Sequence, residues 1–208
     1  MDGARTPMCN HYRNHPEAIS SWREYIEWDL YERLPDPDLW PKRQALVVRM
    51  ADGRRAMDAM TWGVPLKLAG KRPGTTVTKH VTNVRNLTSP FWKSVLTVPA
   101  QRCLVPFTSF AEPKIGAGRE EHWFTVNSQP SAFAGIWRPS EAGNVFAFLT
   151  CEPNPLVAEL HPKAMPVILH REDFDRWLTG EYVDASGMAV PFPSQLMARS
   201  VIAPNVAD

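Results

Sequence analysis

The chain has 208 residues, 44% of them hydrophobic, with eight tryptophans and a net charge of +1, a composition that fits one globular domain with a sizeable core. No apolar run approaches the roughly 18 residues of a membrane span and no signal peptide is recognisable, which excludes membrane-spanning classes and points to a cytoplasmic protein. Three widely spaced cysteines, Cys9, Cys103 and Cys151, form no Cys-x-x-Cys pair, so neither a disulfide framework nor a zinc ribbon is expected.

In chain order, Pro16 to Ile26 reads as a helix, with proline in its first turn and Ile19, Trp22 and Ile26 at helical spacing. The Leu34-Pro-Asp-Pro-Asp38 stretch breaks it. Ala45 to Met50 and Ala59 to Trp62 are strand-length runs, with an Asp52-Gly53 turn between them. Lys67 to Thr78, rich in Lys, Gly, Pro and Thr, reads as an exposed loop suited to phosphate contacts. Four β-rich runs follow: Arg102 to Pro106, His122 to Val126, Ala132 to Arg138 and Val145 to Cys151. Pro155 to Leu160 reads as a short helical turn, Pro166 to Leu169 as a strand and Arg171 to Leu178 as a helix closed by Gly180. Residues 181 to 208 are punctuated by proline and are expected to wrap the surface. The fold class is therefore α+β: a single β-rich domain of largely antiparallel strands with a few flanking helices.

Charge is distributed unevenly. Residues 42 to 102 hold twelve Lys or Arg and only two acids, Asp52 and Asp58, while the rest of the chain is net acidic. Gathered on one face, such a segment binds phosphates, and interleaved aromatics such as Trp62, Phe91 and Trp92 suit unstacked bases. A solvated surface over core aromatics explains the same pattern.

The most specific chemistry lies at Met8-Cys9. A cysteine that follows an initiator methionine becomes the first residue once that methionine is removed. It then carries a thiol and an α-amine, with reference pKa values of about 8.5 and about 7.7–8.0. The amine can condense with an aldehyde, and the thiol can close on the imine carbon as a thiazolidine. This chain begins at Met1, so the chemistry requires either a start at Met8 or removal of the residues before Cys9. Residues 1–8 are accordingly expected to be an extension absent from the active form, and 9–208 the domain.

Several short motifs occur in order with this cysteine: Met8-Cys9-Asn-His-Tyr12, Trp62-Gly-Val-Pro65, Asn83-Val-Arg85, Ser109-Phe-Ala-Glu112 and His161-Pro-Lys-Ala-Met-Pro166. Together they resemble the SOS-response-associated peptidase (SRAP) family, over roughly Met8 to Gly180. The resemblance implies a β-rich domain that caps abasic sites in single-stranded DNA through a covalent thiazolidine link, with AP lyase cleavage as a second outcome and self-processing of the preceding residues. It implies Cys9, Asn83, Glu112 and His161 as catalytic residues, and Arg85, Trp62 and Lys163 as DNA contacts. No metal or cofactor is expected, the partner is abasic single-stranded DNA, and a monomer associated with the nucleoid is implied. The chain departs from the family pattern at Asn10-His11, Leu87, Pro113 and Lys163. Two other readings use the same residues: a thiol hydrolase built on Cys9 and His161, and a non-catalytic single-stranded DNA binder.

Overall fold

A computed structural model describes residues 9–113 and 120–201. Its centre is a ring of strands. Gly143–Cys151 pairs with Ala132–Ser140, which pairs with Arg102–Pro106, then Gln44–Ala51, then Arg54–Trp62. A parallel pairing of Thr61 with Val145 and Trp62 with Phe146 brings the last strand back to the first. Closure leaves few free edges and lets every strand bury one side. The Asp52-Gly53 turn makes the tight hairpin between the 44–51 and 54–62 strands: Asp52 has φ 48° and Gly53 φ 75°, the left-handed pair that a two-residue hairpin needs.

A second sheet runs Met197–Ser200, Glu121–Val126, Ser109–Pro113, His11–Arg13 and Asp38–Leu39. Its inner face carries Tyr12, Phe110 and Phe124, all fully buried. Tyr12 meets Trp62, Phe133 and Phe148 edge-on at 5.1–6.1 Å between ring centroids, which ties this sheet to the ring. Strand His11–Arg13 is thus held in the core, and Cys9 lies two residues before it, ahead of a strand paired on both sides.

The α+β reading and the antiparallel character hold. Several elements differ from expectation. The helix over 16–26 is one α-turn, Pro16–Ile19, continued by a 3-10 turn, Ser20–Trp22; no side chain caps its N-terminus. Lys67 to Thr78 is an antiparallel hairpin of Val64–Ala69 and Thr76–Val81, because Leu66, Leu68, Val77 and Val81 alternate along it. The 166–169 strand is two short ones split at Val167, Met165–Pro166 on Cys151 and Ile168–Leu169 on Ala132. The segment after 180 forms helix Tyr182–Gly187 and edge strand Met197–Ser200 instead of only wrapping the surface. The expectation for residues 1–8 lies outside the described residues. No helix among the described residues is long and apolar enough to cross a membrane.

Candidate active site

Cys9 is 1% exposed, and its thiol points toward the carbonyl of His11 at 3.9 Å. Burial pushes the thiol well above its ordinary range, and the neighbouring Glu112 carboxyl adds to this. The thiol therefore stays protonated at neutral pH.

Glu112 comes from the adjacent strand, Ser109–Pro113, and is fully buried. Among the described residues neither carboxyl oxygen has a hydrogen-bond partner of ordinary geometry, although the Cys9 thiol is close enough for a weak hydrogen bond that shifts both groups. Burial drives the carboxyl well above the usual range; Cys9 partly offsets this and Glu121 reinforces it. An unpaired buried carboxylate is far too costly to persist, so Glu112 is held as a neutral acid.

Asn83 lies on a two-residue strand, Asn83–Val84, that runs parallel to Phe148–Leu149. Its amide Nδ2 donates to the Cys9 carbonyl and to Thr82 Oγ1, both at 3.1 Å, while Oδ1 is buried without a partner. Thr82 in turn donates to Asn10 Oδ1 at 3.3 Å. Asn83 thus holds the Cys9 carbonyl while Thr82 holds the Asn10 side chain next to it. Thr82 carries no signal in the sequence beyond its place before Asn83.

His161 is fully buried at the end of the turn that follows helix Pro155–Ala158, which Asn154 caps by accepting from the Val157 amide at 3.0 Å. Its Nδ1 donates to the Ala164 carbonyl at 2.8 Å. A carbonyl only accepts, so the proton of the neutral ring is assigned to Nδ1 and Nε2 is left as a bare acceptor. That Nε2 is buried and unpartnered. No hydrogen bond among the described residues joins His161 to Cys9 or Glu112; the strand that follows it, Met165–Pro166, pairs with the end of Gly143–Cys151, which also pairs with Asn83–Val84.

Buried polar atoms in folded proteins are nearly always satisfied, so exceptions point to function. Ten described residues hold such an atom, and Glu112, Asn83 and His161 at this site are three of them. A fourth is the hydroxyl of Tyr12, buried and within electrostatic reach of the thiols of Cys103 and Cys9. Sequence patterning gives no hint of Tyr12, which reads as an ordinary core aromatic.

The three expected DNA contacts are placed differently. Arg85 is about one third exposed, and its guanidinium donates to the Cys151 carbonyl and pairs with Glu152. Lys163 is exposed in the turn between His161 and Ala164. Trp62 corrects the expectation: it is fully buried, stacked on Phe148 at 5.3 Å, with its indole N–H on the Thr82 carbonyl at 3.1 Å. All of these contacts are within the protein, so Trp62 supports the floor beneath Thr82 and offers no face to a base. Trp62→Ala should cost about 3–5 kcal/mol of stability, the scale of a large aromatic removed from a core, and a denaturant titration measures it.

The departures at Asn10, His11 and Pro113 line one opening. A cavity of about 340 Å3 is bounded by Asn10, His11, Trp40, Ala111, Pro113 and Glu121. His11 sets an imidazole between Glu121 at 2.8 Å and Asp38 at 3.0 Å, stacked on Trp40 at 3.8 Å. Asp38 feels burial, which raises it, but hydrogen bonds from Arg13, His11 and Trp40 outweigh that and hold it at about 2. Leu87 packs half-buried against the core. Cys103 and Cys151 are buried, and burial lifts the Cys151 thiol to about 11, so neither is an activated nucleophile. Among the described residues no three His, Cys, Asp or Glu side chains are grouped to hold a metal ion.

Solved structures share this fold. A protein of Bordetella bronchiseptica superposes with a TM-score of 0.73 at 21% identity, over 94% of this chain and 100% of its own. A protein of Bacteroides thetaiotaomicron does so with a TM-score of 0.73 at 20% identity, over 94% and 92%. A phage-related protein of Bordetella bronchiseptica gives 0.66 at 18%, over 92% and 93%. No curated protein matches the chain. The family description "SOS response associated peptidase (SRAP)" matches residues 8–208, beginning at the methionine that precedes Cys9. With that match running over nearly the whole chain, the protein belongs to the SRAP family.

Proposed function

We propose that this protein captures abasic sites in single-stranded DNA as a covalent thiazolidine adduct on Cys9, after the residues before Cys9 have been removed or left untranslated. One observation carries the reading: the Cys9 thiol and the Glu112 carboxyl are buried side by side, where burial disfavours the charged form of each, at the residue whose carbonyl Asn83 holds.

The chemistry follows from that pairing. The free amine of Cys9 adds to the C1′ aldehyde of the open abasic sugar and gives a carbinolamine. Glu112 donates its proton to the departing hydroxyl, water leaves, and an iminium forms beside a carboxylate. That carboxylate accepts the thiol proton as sulfur bonds to C1′, which closes a neutral thiazolidine and returns Glu112 to its acid form. If the iminium instead loses a proton at C2′, β-elimination breaks the strand at the 3′ phosphate, the AP lyase outcome. His161, with a bare Nε2, is suited to accept a proton during this sequence.

A thiol hydrolase needs the opposite electrostatics. Its nucleophile is a thiolate, stabilised by a neighbouring cation. Here burial and Glu112 both oppose the thiolate, and the Nδ1 of His161 is committed to Ala164. The intact mass of the protein before and after incubation with an abasic single-stranded oligonucleotide tests the proposal: a stable adduct at the Cys9 peptide supports it, and an unmodified protein refutes it.

In this reading Arg85 and Lys163 hold phosphates beside the reacting sugar. Arg85 must first exchange Glu152 for the phosphate. Arg85→Ala should lower the salt slope of single-stranded DNA binding by about 0.7, the value for one phosphate contact. Glu152→Ala should do the reverse and tighten binding, because it frees the guanidinium. Titrations at several salt concentrations read both; an unchanged slope would make Arg85 a structural residue.

A further inference from the structure

The positive charges of residues 42–102 are used in two ways. Arg49 and Arg55 pair with Asp58 and Glu27, Arg85 pairs with Glu152, and Arg102 donates to the carbonyls of Trp177 and Gly180. Arg54 and Lys93 lie over the rings of Trp28 and Tyr182. The rest carry no such partner: Lys42 and Arg43, and Lys67, Lys71, Arg72 and Lys79 of the 64–81 hairpin, are exposed, and no ion pair or ring contact among the described residues engages them, so the hairpin holds four of these six free cations. No acidic residue occurs anywhere between Asp58 and Glu112. The hairpin is also a sheet of its own, hydrogen-bonded to neither of the larger sheets.

The alternation of the two strands sorts their side chains. The register Pro65↔His80 and Lys67↔Thr78 puts these four on one face, with Leu66, Leu68, Val77 and Lys79 on the other. The first face looks across a cavity of about 410 Å3 toward Arg138, Ser140 and Glu141 of the 138–145 turn. Arg138 is steered by Phe91, whose ring centre lies 5.2 Å from the guanidinium carbon, and no carboxylate among the described residues pairs with it. Two permanent cations and several hydroxyls thus face a space of the size that small ligands fill, against a single carboxylate.

This cavity adjoins the Cys9 site. Gly63 lines it with φ +129°, and a Cβ there would lie 3.2 Å from the Cβ of His80, so glycine is needed where the hairpin leaves the ring. Two residues beyond His80, about 6.6 Å of extended chain, is Thr82, whose hydroxyl touches Asn10 and Asn83. A strand whose sugar sits at Cys9 would meet the hairpin about one nucleotide further on.

We propose that the 64–81 hairpin and the 138–145 turn form a second binding subsite, which takes the phosphate and sugar of a nucleotide flanking the reacting one in single-stranded DNA. The proposal rests on the DNA-binding reading above and extends it away from the reacting sugar. Phosphate is held by Lys67 and Arg138 in the cavity, and the next phosphates by Lys71 and Arg72 at the hairpin tip. Because these are backbone contacts, the subsite is indifferent to sequence and to whether the strand carries an abasic site.

Fluorescence anisotropy with labelled, intact oligothymidylates of about five and about fifteen nucleotides tests this, a range that brackets the footprint of one small domain. The wild-type chain should bind the longer strand more tightly. The combined variant Lys67→Ala, Lys71→Ala, Arg72→Ala and Lys79→Ala should lose that preference, with a salt slope lower by about 1.4 or more, two phosphate contacts. Arg138→Ala should weaken the longer strand alone, and Arg138→Lys should restore it. Unchanged thermal melting of the variants confirms that they fold. A four-site variant that keeps the wild-type length preference and slope overturns the subsite, as does wild-type protein that binds neither strand. The abasic-site reading fails separately, if length-dependent binding behaves as described but no adduct forms on abasic DNA.

Discussion

Protein beginning at Cys9 should form a stable adduct with abasic single-stranded DNA, whereas protein that keeps residues 1–8 should form none. The difference is chemical and absolute. With Met8 attached, the Cys9 nitrogen is an amide and cannot condense with an aldehyde, and the buried thiol alone gives at most a reversible hemithioacetal. Cys9→Ser in the shortened chain separates the two nucleophiles. The amine survives, so borohydride should still trap an imine, while the stable ring should be lost. Gel electrophoresis of the boiled reaction, with and without borohydride, reads both. Efficient crosslinking by the chain that retains Met1 to Met8 would sink the amine-first mechanism. Loss of the borohydride-trapped species in Cys9→Ser would show instead that sulfur attacks first.

The family and the strand-rich fold were legible in the sequence because the short motifs fall in a fixed order, and because most strands alternate or are β-branched. The structure then gathers Cys9, Asn83 and Glu112, which are far apart in the chain, through strand pairings that no single-chain pattern reveals. Trp62 shows what remains hidden. Its neighbouring cations suggested a base-stacking face, but strand alternation within 54–62 turns its ring inward onto Phe148. The hairpin was hidden for the opposite reason. Lys, Gly and Pro at its tip outweigh, in composition, the alternating apolar residues that make it a sheet. Charge counting likewise could not separate Arg85, which pairs with Glu152, from the unpaired lysines of the hairpin, because pairing depends on partners 67 residues away. Tyr12 and Thr82 were invisible as site residues, since their roles come from burial beside Cys9 rather than from spacing.

Glu112→Gln should slow adduct formation by roughly 10²-fold or more, the usual loss when a general acid or base is removed. The same change should make the protein more stable at alkaline pH. Glu112 has a folded pKa raised by burial above its ordinary value near 4.3, so between those two pH values the folded state holds a proton that the unfolded state has released. Stability from this group is therefore complete below about pH 4 and declines as pH rises toward the folded pKa, where the native state must ionise a carboxyl with no partner. Glutamine has nearly the same shape and no proton to lose. Its variant should show a flatter profile of stability against pH, close to wild type at about pH 4–5 and above it at high pH. Adduct formation by wild type should also fall at high pH as the acid form is depleted, a limb that Glu112→Gln should lack while keeping the acidic limb set by protonation of the Cys9 amine. Rate profiles and urea melts across the pH range decide the matter together. If Glu112→Gln loses stability at every pH and reacts at the wild-type rate once folded, the buried carboxyl is a packing residue, and the proton for the departing hydroxyl comes from elsewhere.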